Sequence, residues 1–541
     1  MGEYRAPGVY VEEVPSAQQP IAGVGTNTVA FLGVVGDKLQ YPVPNEDYDP
    51  VLARKAAGGA DAARATEEEK RELEGDKRRL EGELEAVRVA LQQVNQEITA
   101  LPPPPPPSEP PDEHAARRAQ LNTEKLRRER DVGLITGRIA TTDARLAALA
   151  GQPGAVDQKF LKPYKLETFE VKVHLYDATL CTNFSEYTTR FGSFSADNDQ
   201  NPGEALDPGH RALTHAVYGF FKNGGTRCFV ARVKSDNAGD IDRALSAFES
   251  IDEVALIAAP GLTGKVVWDR LVTHCSGCED RFAILDGGLD DAEVNGALDV
   301  KLLTYDDPQN SVLPPRDKNA AFYIPWIEVI DAAKQLQDLD PARNVPLKYR
   351  GRVYVPPSGH LAGIYARTDE ERGVHKAPAN VTVLGALDVK YYISKAKQAG
   401  LNPQGVNCIR SLNGDITVWG ARTIGGDSNH EWKYINVRRF FLFLRESIDE
   451  GTQWVVFEPN DPTLWGKIVR NISAFLTNVW RSGALFGSTP EEAFYVKCDA
   501  ELNPPEVRDL GQVITEIGVA IVRPAEFVIF RVTQATGPRP S

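Results

Sequence analysis

One segment of the chain has the spacing of a phosphate-binding loop. Ala259–Val266 (APGLTGKV) follows an apolar run and carries a lysine at the expected place. Such a loop needs Ser or Thr directly after the lysine to hold magnesium. Here Val266 occupies that position, Ala259 stands for the first glycine, and Pro260 has no N–H to offer a phosphate. The segment therefore predicts an ordinary turn from a strand into a helix.

His274, Cys275 and Cys278 form a second arrangement that could do chemistry, as a zinc or thiol site. A structural zinc site needs four ligands, and no second pair lies at a suitable spacing. We therefore predict two semi-buried thiols. The six cysteines are spread thinly over the chain, which suits a reducing compartment better than a disulfide framework. They are Cys181, Cys228, Cys275, Cys278, Cys408 and Cys498.

Two further groups of residues have the types expected of a catalytic site or a cation site. Ser358, His360 and Asp388 have the residue types of a hydrolase, but no Gly-x-Ser-x-Gly turn presents the serine. The acidic cluster that begins at Asp197 lacks the glycine and terminal glutamate of a calcium loop. The sequence thus predicts no enzyme, with no catalytic residue, cofactor or metal.

Charge and hydropathy exclude two partner classes. The formal net charge is −14 and the pI about 5.3, which argues against nucleic acid as a partner. No run of eighteen apolar residues occurs, so we expect no membrane insertion, and the first residues lack the apolar stretch of a secretion signal.

Both chain ends carry β-prone segments that are too short to bury themselves. Gly8–Val14 lies between two prolines, and Val522–Val532 ends the apolar part of the chain. An open strand edge is a template for another chain. We therefore predict linking arms at 1–25 and 521–541. Their candidate contact residues are Val9, Tyr10, Val11, Glu12, Glu13, Glu526, Phe527, Val528, Ile529 and Phe530.

Residues 56–155 differ in composition from the rest and predict an inserted helical hairpin. The apolar residues follow a heptad seam at Leu73, Leu80, Leu84, Val87, Leu91, Val94 and Ile98. The run Pro102–Pro107 breaks the helix and predicts a stiff tip. A second seam at Ile135, Ile139, Thr142, Leu146 and Leu149 predicts the returning helix. The hairpin is either a solvated spacer or a docking surface.

The remaining chain alternates strands with helices, which predicts a mixed α/β fold in several layers. Predicted strands include Val171–Leu175, Cys228–Val233, Arg281–Asp286, Ile416–Thr423 and Trp454–Glu458. We expect a discontinuous core domain at 26–55 and 380–520, and outer α/β domains at 156–379.

Five further segments, with Pro7–Glu13, resemble the contractile tail sheath family of phages and phage-like injection systems. The segments are Val355–Asp369, Arg372–Asn380, Tyr434–Arg439, Trp454–Trp465 and Gly518–Phe527. The similarity covers roughly residues 1–40 and 160–535. The helical insertion departs from the common pattern and resembles decorations of extracellular injection systems, so the choice between a phage and an injection system stays open.

The resemblance implies a structural subunit that polymerises as a helical sheath around an inner tube. Such subunits exchange β-strands with neighbours, and a metastable extended lattice contracts to drive the tube through a target envelope. The implied partners are other copies of the chain, an inner tube protein, and baseplate and terminator or cap components. Assembly is expected in the cytoplasm, with later release of the tail-like particle left open. Candidate subunit or tube contacts are Arg438, Arg439, Glu458 and Asp461.

Two other hypotheses remain at this point. The first is a nucleotide-using α/β enzyme with a coiled-coil insertion. The second is a non-contractile scaffold or baseplate adaptor, which would form rings or monomers and never tubes.

Overall fold

The computed structural model describes residues 21–50, 52–53, 62–102, 114–150, 160–294 and 297–530. The chain forms two compact units. The core unit contains the chain up to Tyr41, Thr168–Asp331 and everything from Arg352 onward, and the hairpin unit contains Pro42–Glu167 and Ala332–Gly351.

The strands, in chain order, are β1 Val29–Val34, β2 Lys38–Pro44, β3 Tyr164–Glu170, β4 Thr179–Cys181, β5 Cys228–Val233, β6 Leu256–Ala258, β7 Phe282–Asp286, β8 Glu293–Val294, β9 Ala297–Leu298, β10 Ala320–Ile324, β11 Ile327–Ile330, β12 Arg352–Val355, β13 Val381–Thr382, β14 Asp388–Val389, β15 Val406–Leu412, β16 Asp415–Trp419, β17 Phe494–Lys497 and β18 Glu516–Val519. The α-helices are α1 Ala62–Ala100, α2 Ala115–Ala150, α3 Phe184–Phe191, α4 Pro208–Lys222, α5 Ala238–Glu249, α6 Lys265–Cys278, α7 Ala332–Gln337, α8 Ser358–Arg372, α9 Lys395–Leu401, α10 Ile435–Thr452, α11 Pro462–Arg481, α12 Pro490–Ala493 and α13 Pro505–Asp509.

A nine-stranded sheet forms the centre of the core unit, in the order β13-β16-β15-β10-β7-β6-β1-β5-β4. The six inner strands from β15 to β5 run parallel, and antiparallel strands complete both edges. Parallel strands are buried on both faces and are therefore apolar throughout. This explains why β1 and β6 are apolar throughout and why β5 and β7 are apolar except for Arg232 and Asp286.

Alternate residues of β1 enter different halves of the core, as the two-residue period of a strand requires. Val29 and Phe31 pack with residues of α4 and α8 on one face. Ala30 and Leu32 pack with α5 and α6 on the other face. The mixed α/β layering predicted from the sequence is confirmed.

The C-terminal part of the core unit has its own apolar cluster, built on α10 and α11. Helix α11 begins where the Asp461 carboxylate accepts a hydrogen bond from the Leu464 N–H at 2.8 Å, and Pro462 fits the first turn. Its buried residues, such as Ile468, Ile472 and Phe475, recur at helical spacing. A two-stranded ribbon of β17 and β18 packs against this cluster.

The hairpin unit confirms the predicted helical insertion. Helices α1 and α2 pack along their length, with Leu80 and Leu121 among the buried seam residues. The Lys77–Asp143 ion pair, at 2.6 Å, and the Glu97–Arg117 ion pair, at 2.7 Å, cross between the helices near opposite ends. Residues 61–100 contain eleven acidic and seven basic side chains, whereas residues 112–150 contain six acidic and eight basic ones, so the paired helices have net charges of opposite sign. No helix within the described ranges has both the length and the apolar character needed to cross a bilayer. The predicted proline tip lies outside the described residues for the most part.

Two predicted strands are wrong. Val171–Leu175 is irregular, because the strand ends one residue earlier at Glu170 and the Val171 N–H donates to the Asp37 carbonyl. Trp454–Glu458 is a single helical turn and a loop, in which the Glu458 N–H donates to the Val455 carbonyl. Both segments have β-prone residues, but strand formation also needs a partner strand in register. The described part of Val522–Val532, up to residue 530, forms no strand within its own subunit, and its pairing with a neighbouring copy stays a prediction.

The predicted domain division also differs from the structure. The nine-stranded sheet joins β1, which was assigned to the 26–55 and 380–520 domain, to strands of the predicted 156–379 domain. It also contains β15 and β16 from beyond residue 380. Because one hydrogen-bonded sheet crosses the expected boundary, these segments form one folding unit.

Candidate assembly surface

The segment that resembles a phosphate loop is closed by an acidic side chain. Gly261 lies in the turn between β6 and α6, and its N–H is 3.4 Å from Oδ2 of Asp286. Asp286 also accepts hydrogen bonds from the N–H and Oγ of Ser358, at 2.8 and 2.6 Å. Burial raises the pKa of Asp286 to about 7, while these donors act in the opposite sense. The segment is thus a turn from β6 into α6, as the sequence predicts, and its Gly261 N–H faces the Asp286 carboxyl group.

The thiol and hydrolase candidates do not assemble into sites. Cys278 Sγ lies 3.8 Å from Nε2 of His274, and burial raises the pKa of this thiol. Ser358 bonds to Asp286, whereas Asp388 accepts from the Tyr392 hydroxyl. Among the described residues, no group of three or more His, Cys, Asp and Glu side chains is placed to hold a metal ion.

Arg438 and Arg439, predicted as surface contacts, are buried within their own chain. Arg438 is 8% exposed and donates through Nε to the Asn319 amide oxygen at 2.7 Å. Arg439 is 3% exposed and makes a two-pronged ion pair with Asp369, at 2.9 and 2.6 Å. Both guanidinium groups are thus enclosed by groups of the same chain, and a role for them in contacts between subunits or with a tube stays a prediction.

The two acidic residues predicted as subunit or tube contacts, Asp461 and Glu458, lie in different environments. Asp461 is the N-cap of α11, so its carboxylate has a local role in starting that helix. Glu458 is exposed in the loop before α11, beside Phe457. The Phe457 side chain is completely exposed, and its backbone has a φ of 68°, which is unusual for a bulky residue. A role for Glu458 in contacts between proteins stays a prediction.

Glu526 is held in a polar cage made by three side chains. Its carboxylate accepts two hydrogen bonds from Arg422, both at 2.8 Å, one from Asn402 at 2.7 Å and one from the Tyr434 hydroxyl at 3.0 Å. Burial by itself would raise the pKa of Glu526, but the bonds from Arg422 and Asn402 outweigh it and leave the pKa below its usual value. Glu526 is thus an anchor inside its own subunit.

The four residues after this anchor are exposed and apolar. Phe527, Val528, Ile529 and Phe530 have exposed fractions of 71%, 68%, 80% and 86%. Contiguous exposed apolar side chains of this kind are typical of an interaction surface. The structure therefore separates the predicted C-terminal arm into an anchored glutamate and an uncovered apolar segment. The N-terminal candidates Val9, Tyr10, Val11, Glu12 and Glu13 lie outside the described residues.

The β17–β18 ribbon offers backbone edges to another strand. Four residue pairs join it, from Phe494 opposite Val519 to Lys497 opposite Glu516. The ring of Tyr495 covers Gly518, where a Cβ would lie 2.1 Å from the nearest ring atom. Within the described ranges, no third strand pairs with β17 or β18 themselves, and an isolated bridge joins Leu485 to Ile521 just beyond the end of β18. A two-stranded ribbon of this kind is marginal alone and gains from additional strands.

Helix α11 carries a cationic outer face. Its twenty residues include Lys467, Arg470 and Arg481 but no acidic residue. In the described part of the chain, none of these three lies within 4.0 Å of a carboxylate oxygen. On a chain with a net charge of −14, this face suits an acidic partner.

Sequence reasoning did not find the cage, the ribbon or the cationic face. The absence of acidic residues between 462 and 481 was visible in the sequence and could have indicated the face. The cage was not visible, because Arg422 and Glu526 are 104 positions apart and only the fold brings them together.

Two family models match adjoining parts of the chain. The model of the phage tail sheath protein central domain matches residues 316–424, and that of the phage tail sheath C-terminal domain matches residues 427–535. The second match includes α10, α11, the ribbon and Glu526.

Solved structures and a curated relative extend this likeness. A chain of the anti-feeding prophage (AFP) baseplate is 30% identical, with a TM-score of 0.53, over 68% of this chain and 91% of that one. A chain of the PVC sheath complex, from an extracellular contractile injection system in its contracted state, is 28% identical, with a TM-score of 0.54, over 68% and 88%. The tail sheath protein of Vibrio phage KVP40 is 28% identical over 34% of this chain and 26% of its own length.

The matched regions span between 26% and 49% of the length of the first curated relatives. The matches to the AFP and PVC structures, by contrast, cover 91% and 88% of those chains. The chain belongs to the contractile tail sheath family.

Proposed function

We propose that the chain is a sheath subunit that polymerises around an inner tube and contracts to drive that tube through a target envelope. Its activity is mechanical. Copies of the chain are joined by strands that each subunit gives to its neighbours, and the joined lattice has an extended and a contracted packing.

The observation that carries this proposal is the division of the C-terminal segment at Glu526. The cage fixes the segment to its own subunit, while Phe527–Phe530 remain uncovered and β-prone. The same subunit has a ribbon with open edges. Phe527–Phe530 of one copy can therefore pair as an added strand with the β17–β18 ribbon of a second copy. Each added backbone hydrogen bond contributes about 0.5–1.5 kcal/mol to the association of two copies, and these contributions sum over all the copies of the polymer.

The cationic face of α11 supports an inner tube with an acidic outer surface as the second partner. Charged groups on exposed faces steer association and set register, and their effect falls with salt. The likeness to an AFP baseplate chain supports contact with a baseplate, and a cap component would close the other end of the polymer.

Contraction requires that one subunit fits two lattices. Rigid-body rotation about flexible connections is a common way to obtain this. Here the core unit is rigid, with a buried central sheet, while the uncovered segment after Glu526 is the connection. A lattice energy difference of a few kcal/mol per subunit, summed over the polymer, would drive the motion.

The test is to remove the connection and keep the cage. A chain ending at Glu526 and a chain lacking residues 1–16 should both fold, as judged by circular dichroism, but form no tubes in negative-stain electron microscopy. As a matched control, serine at Val294 and Leu387, two exposed apolar positions elsewhere, should leave tubes intact. Normal tubes from the truncated chains would refute strand exchange, and rings that never elongate would favour a baseplate adaptor.

A further inference from the structure

The large sheet ends in strand β4, which has room for another strand beside it. An open groove of about 770 Å³ runs past β4, bounded by Thr179 and Leu180 on one side and by Ala247 and Ile251 on the other. Open edges of this kind are templates for pairing with other chains. A protein that exchanges strands between copies therefore has to control which of its edges accept them.

The outward backbone groups of this edge are already occupied by side chains of α3. The Leu180 carbonyl accepts a hydrogen bond from Nη1 of Arg190. The Thr182 N–H donates to Oε2 of Glu186 at 2.9 Å. Leu180 is the middle residue of β4, and Thr182 directly follows the last residue of the strand, Cys181. Residues two apart in an extended segment point their backbone groups to the same side, so an antiparallel strand added along β4 and past its end would use Leu180 and Thr182.

The opposite edge of the sheet is held in the same manner. Arg367 donates to the Thr382 carbonyl on β13 at 3.3 Å. The side chain of Asn223 bonds to both the N–H and the carbonyl of Leu384, at 2.9 and 3.1 Å. Thr382 is the last residue of β13 and Leu384 lies in the turn that follows, so side chains from α8 and from the C-cap of α4 occupy backbone groups at and just beyond the end of this edge strand. The β17–β18 ribbon has no such bonds to its strands among the described residues.

We propose that Glu186 and Arg190 are guard residues that keep the β4 edge closed to the chain ends of other copies. This inference rests on the proposed strand exchange, and it specifies which sheet edges accept a strand from another copy. The occupant that is excluded is the apolar segment Phe527–Phe530 of a second copy, which has the β-prone, uncharged character of an edge-seeking strand. Strand addition is thereby directed to the ribbon.

The experiment removes the side chains of Glu186 and Arg190 in the full-length chain and measures how many added strands each chain then binds. The probe is a fluorescent peptide with the sequence of residues 523–534, RPAEFVIFRVTQ. The double variant Glu186→Ala/Arg190→Ala should bind one more peptide per chain than the wild type, and should sediment as larger, irregular species. The control Asp242→Ala/Arg270→Ala removes an exposed ion pair of the same charges, 3.6 Å apart on α5 and α6, and should match the wild type.

Two further measurements distinguish the outcomes. A peptide that is N-methylated at alternate residues cannot pair as a strand, so it should lose the additional binding. Should the double variant fail to fold, Glu186→Ala alone frees the Thr182 N–H and should give a weaker additional site. Equal peptide stoichiometry in folded wild type and guard variants would overturn the guard. Failure of the wild type to form tubes would count against the proposed function and not against this comparison.

Discussion

At the scale of single residues, the Glu526 carboxylate determines the point beyond which the C-terminal segment no longer packs on its own subunit. Its partner Arg422 is only 3% exposed and also donates to the Asn402 carbonyl at 2.9 Å. Removing Glu526 would leave Arg422 with Asp427, 3.0 Å from its Nη1, as the remaining carboxylate partner, so part of the charge compensation at this buried site would be lost. The segment that follows would then begin to separate from the subunit several residues earlier.

Glu526→Gln should lower the free energy of unfolding by about 1–2 kcal/mol, because it weakens charge-assisted hydrogen bonds at a partly exposed site. Urea denaturation measures the loss, and limited proteolysis should cut the chain faster near residues 523–530. The control Glu450→Gln neutralises an exposed glutamate at the end of α10 and should change stability by less than about 0.5 kcal/mol. Equal protease sensitivity of both variants would contradict an anchoring role.

Three buried histidines lie on the facing helices α4 and α8. Burial lowers the pKa of His210 to about 4 and that of His360 to about 3. Nδ1 of His210, His215 and His360 has no hydrogen-bond partner in the described structure. Since the unfolded chain binds these protons near pH 6.5, acid favours unfolding.

Stability should therefore fall as the pH drops from 7 to 5, by about 2 kcal/mol for each of His210 and His360. Urea denaturation at half-unit steps of pH checks this. His210→Gln should reduce the slope, whereas His174→Gln, at an exposed position, should leave it unchanged. A wild-type protein with constant stability over this range would contradict the burial of neutral imidazoles.

At the scale of elements, what the sequence predicts depends on whether the signal is local. Helix α11 can be predicted from the sequence, because its cap, its proline and its apolar period lie within or directly before its own residues. Trp454–Glu458 was predicted as a strand from side-chain preference alone, but it finds no partner strand in the fold. The partners of β1 lie about 200 positions away in β5 and β6, and the candidate surface depends on such distant contacts.

The crossing of α4 and α8 gives a prediction at this scale. A Cβ on Gly219 would lie 2.3 Å from Nδ1 of His360. Gly219→Ala should cost about 1–3 kcal/mol of stability, since overpacking outweighs the gain in helix propensity. Gly277→Ala on α6 meets nothing within 4 Å and should stabilise by about 0.5–1 kcal/mol. Thermal unfolding of both variants measures the contrast, and equal shifts would contradict the close approach.

At the scale of the whole molecule, charge is distributed unevenly. The chain has a net charge of −14, yet α11 presents only cations. A negative net charge keeps free subunits apart in solution. A local cationic face then gives an acidic partner one favourable place to bind.

Lys467→Glu/Arg470→Glu should weaken binding to an acidic inner tube at least about tenfold, and the loss should shrink as salt screens the charges. Co-sedimentation with purified tube protein at 50 mM and 500 mM salt measures this. Lys234→Glu/Lys265→Glu makes the same change in net charge at exposed positions elsewhere and should bind nearly as the wild type does. Equal weakening by both variants would indicate a general effect of net charge.

The central position of β1 affects how the protein is made. This apolar strand leaves the ribosome before its neighbours β5 and β6, which are synthesised about 200 residues later. At roughly 5–20 residues per second, β1 waits on the order of 10–40 s for its partners. The helical insertion is translated during that interval and can fold through local contacts alone. During this delay the unpaired apolar strand is exposed to aggregation, so we expect newly made chains to need chaperones or a low local concentration. We expect a chain truncated between β1 and β5 to aggregate.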